Sequence, residues 1–413
     1  MQYNVIIIGA GPAGLFAAQM ISEQKNKICV LERNDKAGKK LLLSGSGQCN
    51  FTNNINITEF TKHYGDNGKF LNTSFRLFDN KACMSFFKQN GVDYTITESG
   101  KVFPQSMNSQ DILHALMLKC QKNNVLVRYN SLVKHVSVCD NIFTVELNNG
   151  VRYFSKKLVF ATGGQSYPKT GSDGIGFGLA KALGHTLVNP KPALTYIVSK
   201  KAASFDLSGI SFKEIQAILL RDNKKIAQNI DSILFTHKGL SGPVILNMSR
   251  WIAINDSIIV NFLYPHSYEY IKELLAKEIP HRGKEEIVTY LKKYKLPKNF
   301  CNAICQLASI PKHTSCSNLT KKQREDLVNI LTRCAFKVDS LGDLHVAMAT
   351  AGGIYLKEIN PTTMESRKHK GLYFVGEVLD IDGDTGGYNI QAAFSTAHLC
   401  SSHILSGKRN KKV

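Results

Sequence analysis

The twelve residues from Tyr3 to Gly14, Tyr-Asn-Val-Ile-Ile-Ile-Gly-Ala-Gly-Pro-Ala-Gly, constrain this chain more than any other stretch of it. Val5 to Ile8 is an unbroken β-branched run, the composition of a strand covered on both faces. Gly9, Gly11 and Gly14 follow at a spacing that permits a tight turn, close approach of a pyrophosphate and close packing of the next helix. Phosphate would sit at that helix's N-terminus, where free N–H groups and the positive end of the dipole favour an anion. Ala13 to Gln24 has helical composition and Lys27 to Leu31 supplies a second strand. Glu32 ends that strand 23 residues after Gly9, where a carboxylate would take a ribose hydroxyl pair. Strand, turn, helix, strand and acid in this order describe a unit that holds FAD or NAD. The stretch is apolar enough to suggest a secretory signal, but three glycines and Pro12 interrupt it and no basic segment precedes it, so it reads as core.

A chain of 413 residues suggests two or three structural units. No apolar run approaches the roughly 18 residues that span a membrane. Ten cysteines without paired spacing argue for reduced thiols and a cytoplasmic location. The 52 basic against 32 acidic residues give a net charge of +20, which attracts phosphate polymers. Only 11 of the basic residues are Arg, however, and the Lys are scattered, with one dense cluster from Lys408 to Lys412. Composition alone therefore favours a small-molecule partner over nucleic acid, and oligomeric state is not legible.

Ala37 to Asn53, directly after the second strand, is rich in small and polar residues around the triplet Leu41 to Leu43. In a flavoprotein this is where backbone passes the pyrophosphate and the ring, with Lys39 or Lys40 neutralising phosphate and Ser44, Cys49 and Asn50 hydrogen-bonding the ring system. Asn124 to Val138 alternates as one or two strands, and Thr144 to Phe154 reads as a hairpin about Asn148-Asn149-Gly150. Lys156 to Ala161 then reads as a short strand ending in Ala161-Thr162-Gly163-Gly164, a second mark of flavoproteins with two dinucleotide-binding domains. Near the C-terminus, Leu372 to Val375 reads as a strand closed by Gly376 and Glu377. A glycine-rich loop then leads to a helix from about Asn389, whose N-terminus would face the flavin N1 and C2 carbonyl region. Asp380, Asp382 and Asp384 alternate as in a calcium loop but lack its closing Glu. Cys301, Cys305, His313 and Cys316 count as a metal set, yet Cys301 and Cys305 would share one helix face and pack in its core, so no metal site is expected.

The segments Gly38 to Asn53, Phe235 to Pro243, Ala349 to Ile354 and Thr363 to Ser366, with the glycine-rich C-terminal motif, occur in family order from residue 3 to about residue 405. Together they resemble the bacterial aminoacetone oxidase family of FAD-binding flavoproteins, whose members are described as NAD(P)/FAD-dependent oxidoreductases. That family carries Arg where this chain has Gln48, which removes a fixed charge near the expected cofactor.

The resemblance implies an α/β fold with a discontinuous FAD-binding Rossmann-like domain at residues 1–190 and 346–407. A β-rich inserted subdomain (191–266 and 334–345), a helical subdomain (267–333) and a basic tail (408–413) complete the expectation, with the insert forming a lid over the flavin. Pro190 to Pro192 marks the boundary, Leu194 to Val260 reads as strands, and Tyr268 to Glu278 and Lys284 to Tyr294 as amphipathic helices. The expected cofactor contacts at the fingerprint are Gly9, Gly11, Pro12, Ala13, Gly14, Glu32 and Arg33. The loop after it adds Lys40, Ser44, Gly47, Cys49 and Asn50, and the sheet adds Val133, Ala161, Thr162 and Gly163. Gly376, Glu377, Asp384, Gly387, Tyr388, Asn389 and Ile390 complete the set from the C-terminal motif. Flavin itself performs the redox step, so catalytic residues are the least legible part, with Cys49, His237 and Tyr388 as candidates. The expected function is an FAD-dependent oxidoreductase acting on a small molecule by hydride transfer to or from flavin N5, with NAD(P)H as a transient donor. An oxygen-using amine oxidase and an FAD-dependent RNA-modifying enzyme are the alternatives. No second fingerprint serves a nicotinamide: Gly171 to Gly178 follows Tyr167-Pro168 rather than a strand and reads as a loop and helix start.

Overall fold

The computed structural model describes residues 1–22 and 26–406; Gln24, expected in the first helix, and the 408–413 tail lie outside the described residues. The chain divides into two compact units, one formed by Met1–Pro192 with the chain from Leu344 onward, the other by Ala193–Asp343.

The first unit is built on seven strands: β1 (Gln2–Ile8), β2 (Ile28–Leu31), β3 (Leu126–Arg128), β4 (Val133–Cys139), β5 (Ile142–Leu147), β6 (Arg152–Phe160) and β7 (Leu372–Phe374). Their order is β3-β2-β1-β6-β5-β4, with β7 also on β6. The hairpin arm and the short strand expected separately before Ala161 are one nine-residue strand, β6. Burial explains the fusion: Arg152 to Lys156 alternates exposed and buried, whereas Leu158 to Phe160 is buried throughout. The alternating half pairs antiparallel with β5, and the fully buried half pairs parallel with β7. Ile8 is level with Leu31 and Phe160, and Phe160 with Phe374, so four parallel strands end together. Gly9, Glu32, Ala161 and Val375 therefore all leave the same carboxyl edge, where open α/β sheets bind ligands.

The helices that matter here are α1 (Pro12–Ser22), α2 (Ile175–Ala182) and α3 (Tyr388–Ser406). α1 is apolar on nearly every side and buried along its length, with Phe16 against Phe394 of α3 at a ring separation of 5.2 Å. Pro190 and Pro192 fall inside a strand, Leu187–Ala193, of a two-stranded sheet with Ala349–Ile354, an edge setting in which a missing N–H is tolerated.

The second unit is a seven-stranded antiparallel sheet whose longest hairpin, Ser211–Arg221 with Lys224–Phe235, turns at Asp222 and Asn223, both with positive φ. Helices Tyr268–Glu278, Lys298–Leu307 and Lys321–Arg333 belong to the same unit, and their buried faces join those of the sheet in one core. Cys301 and Cys305 lie in that core, where burial pushes their thiols up to about 11 and about 12. His313 is exposed and paired with Glu286. Among the described residues no group of three or more His, Cys, Asp or Glu stands together as a metal site, and no helix is long and apolar enough to cross a membrane.

Candidate functional site

The turn after β1 is dictated by its glycines. Gly9 has φ +104, and a Cβ there would lie 2.4 Å from the Ala161 carbonyl oxygen; one on Gly14 would lie 2.0 Å from the Gly9 oxygen. A Cβ on Gly11 would meet nothing within 4 Å. Two of the three glycines are thus demanded by packing, while the second borders open space where the fingerprint expects a pyrophosphate. Glu32 is buried, and its carboxylate accepts from the Ala10 N–H at 2.8 Å and from the Asn34 backbone and side chain at 2.9 and 2.8 Å. Arg33 pairs with Asp173 at 2.5 Å, and Asn34 donates to the Thr170 carbonyl, so the segment before α2 is latched to the end of β2. Ser131 N–H donates to the Glu32 carbonyl, which brings Val133 at the start of β4 alongside.

Ala161, Thr162 and Gly163 follow β6 at the same edge. Thr162 Oγ1 and Ser172 Oγ are buried without a hydrogen-bond partner. Such orphaned hydroxyls are expected where a bound group completes the bonding. A Cβ on Gly163 would approach Ser172 Oγ to 3.1 Å, so both orphans flank this turn and α2.

The loop expected to pass the flavin holds a short helix, Lys39–Leu43, followed by left-handed residues at Gly45, Ser46, Gly47 and Cys49. Lys40 Nζ lies 2.7 Å from Glu377 and 2.5 Å from Ser166 Oγ; Glu377 also accepts from Ser166 Oγ and from the Thr350 N–H. Lys40 and Glu377, each expected at the cofactor, thus form a bonded pair rather than a free cation and a free carboxylate. Ser44 donates to the Leu41 carbonyl, and the Asn50 amide donates to the Thr52 and Val102 carbonyls. Cys49 is fully buried and burial pushes its thiol up to about 12, which leaves it neutral and without nucleophilic character.

The C-terminal loop is closed by Asn389, whose amide accepts from the Gly383 N–H at 2.7 Å and donates to its carbonyl at 2.8 Å. Gly376, at φ +73, would press a Cβ against that of Ala13, which ties β7's end to the start of α1. A Cβ on Gly387 would lie 2.4 Å from the Thr52 carbonyl oxygen, so any side chain there would collide. Tyr388 and the partly buried Ile390 open α3. The Tyr388 ring stacks on His63 at 4.1 Å and 13°, and His63 Nδ1 lies 3.0 Å from Asp384 Oδ2. Sequence reasoning missed His63, which belongs to no motif and lies 321 residues from its partner. His237 lies in the other unit, exposed between strands Lys224–Phe235 and Gly239–Ser241.

The HI0933-like protein Rossmann domain matches residues 3–403. The chain belongs to the HI0933-like family. The chain is an FAD-dependent oxidoreductase. It is 29% identical over 98% of its length, and 99% of the other's, to a ribosomal RNA dihydrouridine synthase of Escherichia coli (strain K12). A protein of the same name from Haemophilus influenzae is 30% identical over 97% of this chain and 98% of its own. A 3-dehydro-bile acid delta(4,6)-reductase of Clostridium scindens is 28% identical over 95% of this chain and 97% of its own. In fold, the chain is similar to a 3-ketosteroid-delta4-(5alpha)-dehydrogenase from Rhodococcus jostii RHA1, with TM-score 0.52, 13% identity and coverage of 98% and 96%.

These family members' cofactor fits the residues present. Open space above Gly11, two orphaned hydroxyls, a buried carboxylate at the end of β2 and the N-terminus of α1 are what a dinucleotide needs along one edge. The aminoacetone oxidase resemblance is thereby resolved to the broader HI0933-like family; the narrower activity is not what these relatives share.

Proposed function

We propose that this protein is a flavin-dependent reductase that saturates a carbon–carbon double bond conjugated to a carbonyl, and that its substrate is a uracil base within RNA. One observation carries the reading: relatives aligned over almost the whole chain bear two different names whose chemistry coincides. Making dihydrouridine reduces the double bond of uracil next to a carbonyl, and a delta(4,6)-reductase acting on a 3-dehydro bile acid reduces double bonds in conjugation with a ketone. Two of these relatives bear a name that specifies ribosomal RNA, and the net charge of +20 is compatible with such a substrate, since phosphate attraction supplies sequence-independent affinity. This reverses the preference that composition alone suggested.

FAD, when bound, supplies the two-electron, hydride-donating centre. The N-terminus of α1 and Gly11 would hold its pyrophosphate, Glu32 its ribose, and Thr162 and Ser172 would complete their bonding on it. The start of α3 would face the part of the ring where negative charge accumulates on reduction. NAD(P)H would supply the electrons transiently. A test is to incubate the FAD-loaded protein with NADPH and unmodified ribosomal RNA transcript and to measure dihydrouridine by mass spectrometry. The proposal expects enzyme-dependent dihydrouridine; its absence, with conversion of a conjugated steroid ketone instead, would favour the small-molecule reading that the Clostridium relative supports. Anaerobic bleaching of the flavin by an amine would favour the oxidase.

A further inference from the structure

We propose that His63 is the acid that delivers the proton of the reduction, with Asp384 and Tyr388 holding its ring for that step; this rests on the conjugated-reduction reading above. Saturating such a bond breaks the π bond and forms two C–H bonds. The carbon β to the carbonyl receives the hydride equivalent that reduced FAD provides, with electrons drawn from NAD(P)H. The α carbon requires a proton, and two of the three side chains identified from sequence are too buried to supply it. Cys49 is fully buried, and Tyr388 is nearly so.

His63 meets the requirement by geometry. Nδ1 is engaged by Asp384 at 3.0 Å, which fixes the ring's orientation and leaves Nε2 as the ring nitrogen turned from that partner, on a side chain that is one-third exposed. Stacking on Tyr388 at 4.1 Å and 13° fixes the ring plane. The backbone repeats the connection: Asp384 N–H donates to the His63 carbonyl at 2.8 Å, and Tyr64 donates its hydroxyl to the Tyr388 carbonyl at 2.7 Å. Gly383 lies so close to the Tyr64 ring that a Cβ would approach it to 2.9 Å. The segment carrying His63 is thus locked to the glycine-rich loop that opens α3, the element assigned above to the redox ring. An acid–carboxylate pair on rigid backbone, with one ring nitrogen turned from its partner, is the arrangement proton donation uses. His63 recovers its proton from solvent.

The test compares wild type with His63→Gln in two half-reactions. FAD content and the rate of flavin reduction by NADPH should stay within threefold, which shows that the variant folds and binds cofactor. Anaerobic single-turnover oxidation of the reduced protein by the ribosomal RNA transcript should slow by about 100-fold or more. Asp384→Asn should slow the same step by about tenfold, with Asp384→Glu restoring most of the loss. Independently of turnover, diethyl pyrocarbonate should modify His63 in the wild-type holoenzyme, and the transcript should protect it. Oxidation of the Gln variant at a near wild-type rate, or equal His63 modification with and without transcript, would overturn the assignment alone. Failure of the transcript and of a conjugated steroid ketone alike to oxidise reduced wild type would overturn the reductase reading and this assignment with it.

Discussion

Gly11 and Gly14 are three residues apart in one motif and do different work. A Cβ on Gly14 would overlap the Gly9 carbonyl at 2.0 Å, so Gly14→Ala should destabilise the fold by about 4 kcal/mol or more, or prevent it. A Cβ on Gly11 meets no protein atom within 4 Å, so Gly11→Ala should leave the melting temperature of the FAD-free protein within about 2 °C of wild type while weakening FAD binding tenfold or more. Thermal unfolding and FAD fluorescence titration check the pair; equal effects of the two substitutions would contradict the division of labour. Glu32→Ala is a less clean probe. It removes the acceptor of the buried Ala10 N–H, at a cost of about 1–3 kcal/mol, and so mixes stability with cofactor affinity.

At the level of elements, α3 shows what burial does to a titratable group. His398 stacks on Phe78 at 5.0 Å and 20°, its Nδ1 is buried without a hydrogen-bond partner, and burial lowers its pKa below the ordinary 6.5. The unfolded chain therefore takes up this proton at higher pH than the native state, so stability rises with pH through that region and is lost as pH falls below about 6.5. Burial lowers His185 in the same direction. His398→Phe should flatten part of the decline in melting temperature between pH 7 and pH 5, while a profile parallel to wild type would contradict the assignment. Elements also show what the sequence could convey. β1, α1, β2 and Glu32 were legible because their signals are local: period, glycine spacing and a terminal acid. The unity of β6 was not, because its two halves pair with strands more than two hundred residues apart in the chain, β5 and β7. Lys40 was legible as a cation in the loop after β2 but not as the partner of Glu377, and His63 carried no local signal at all, since its contacts are with the distant Asp384 and Tyr388. Pairings made by the return of a distant segment leave no mark in spacing.

At the scale of the whole molecule, a discontinuous Rossmann unit supplies one edge at which four motifs converge, and the chain as a whole bears a charge of +20. The edge suits the family's cofactor, and the charge is compatible with the polyanionic substrate proposed above. The most direct test is the visible spectrum of the FAD-loaded protein under anaerobic conditions, first with NADPH and then with unmodified ribosomal RNA transcript. NADPH should bleach the flavin bands, and the transcript should restore them with an equivalent yield of dihydrouridine. Bands that stay bleached in the presence of the transcript, yet return with oxygen alone, would contradict an RNA-reducing activity.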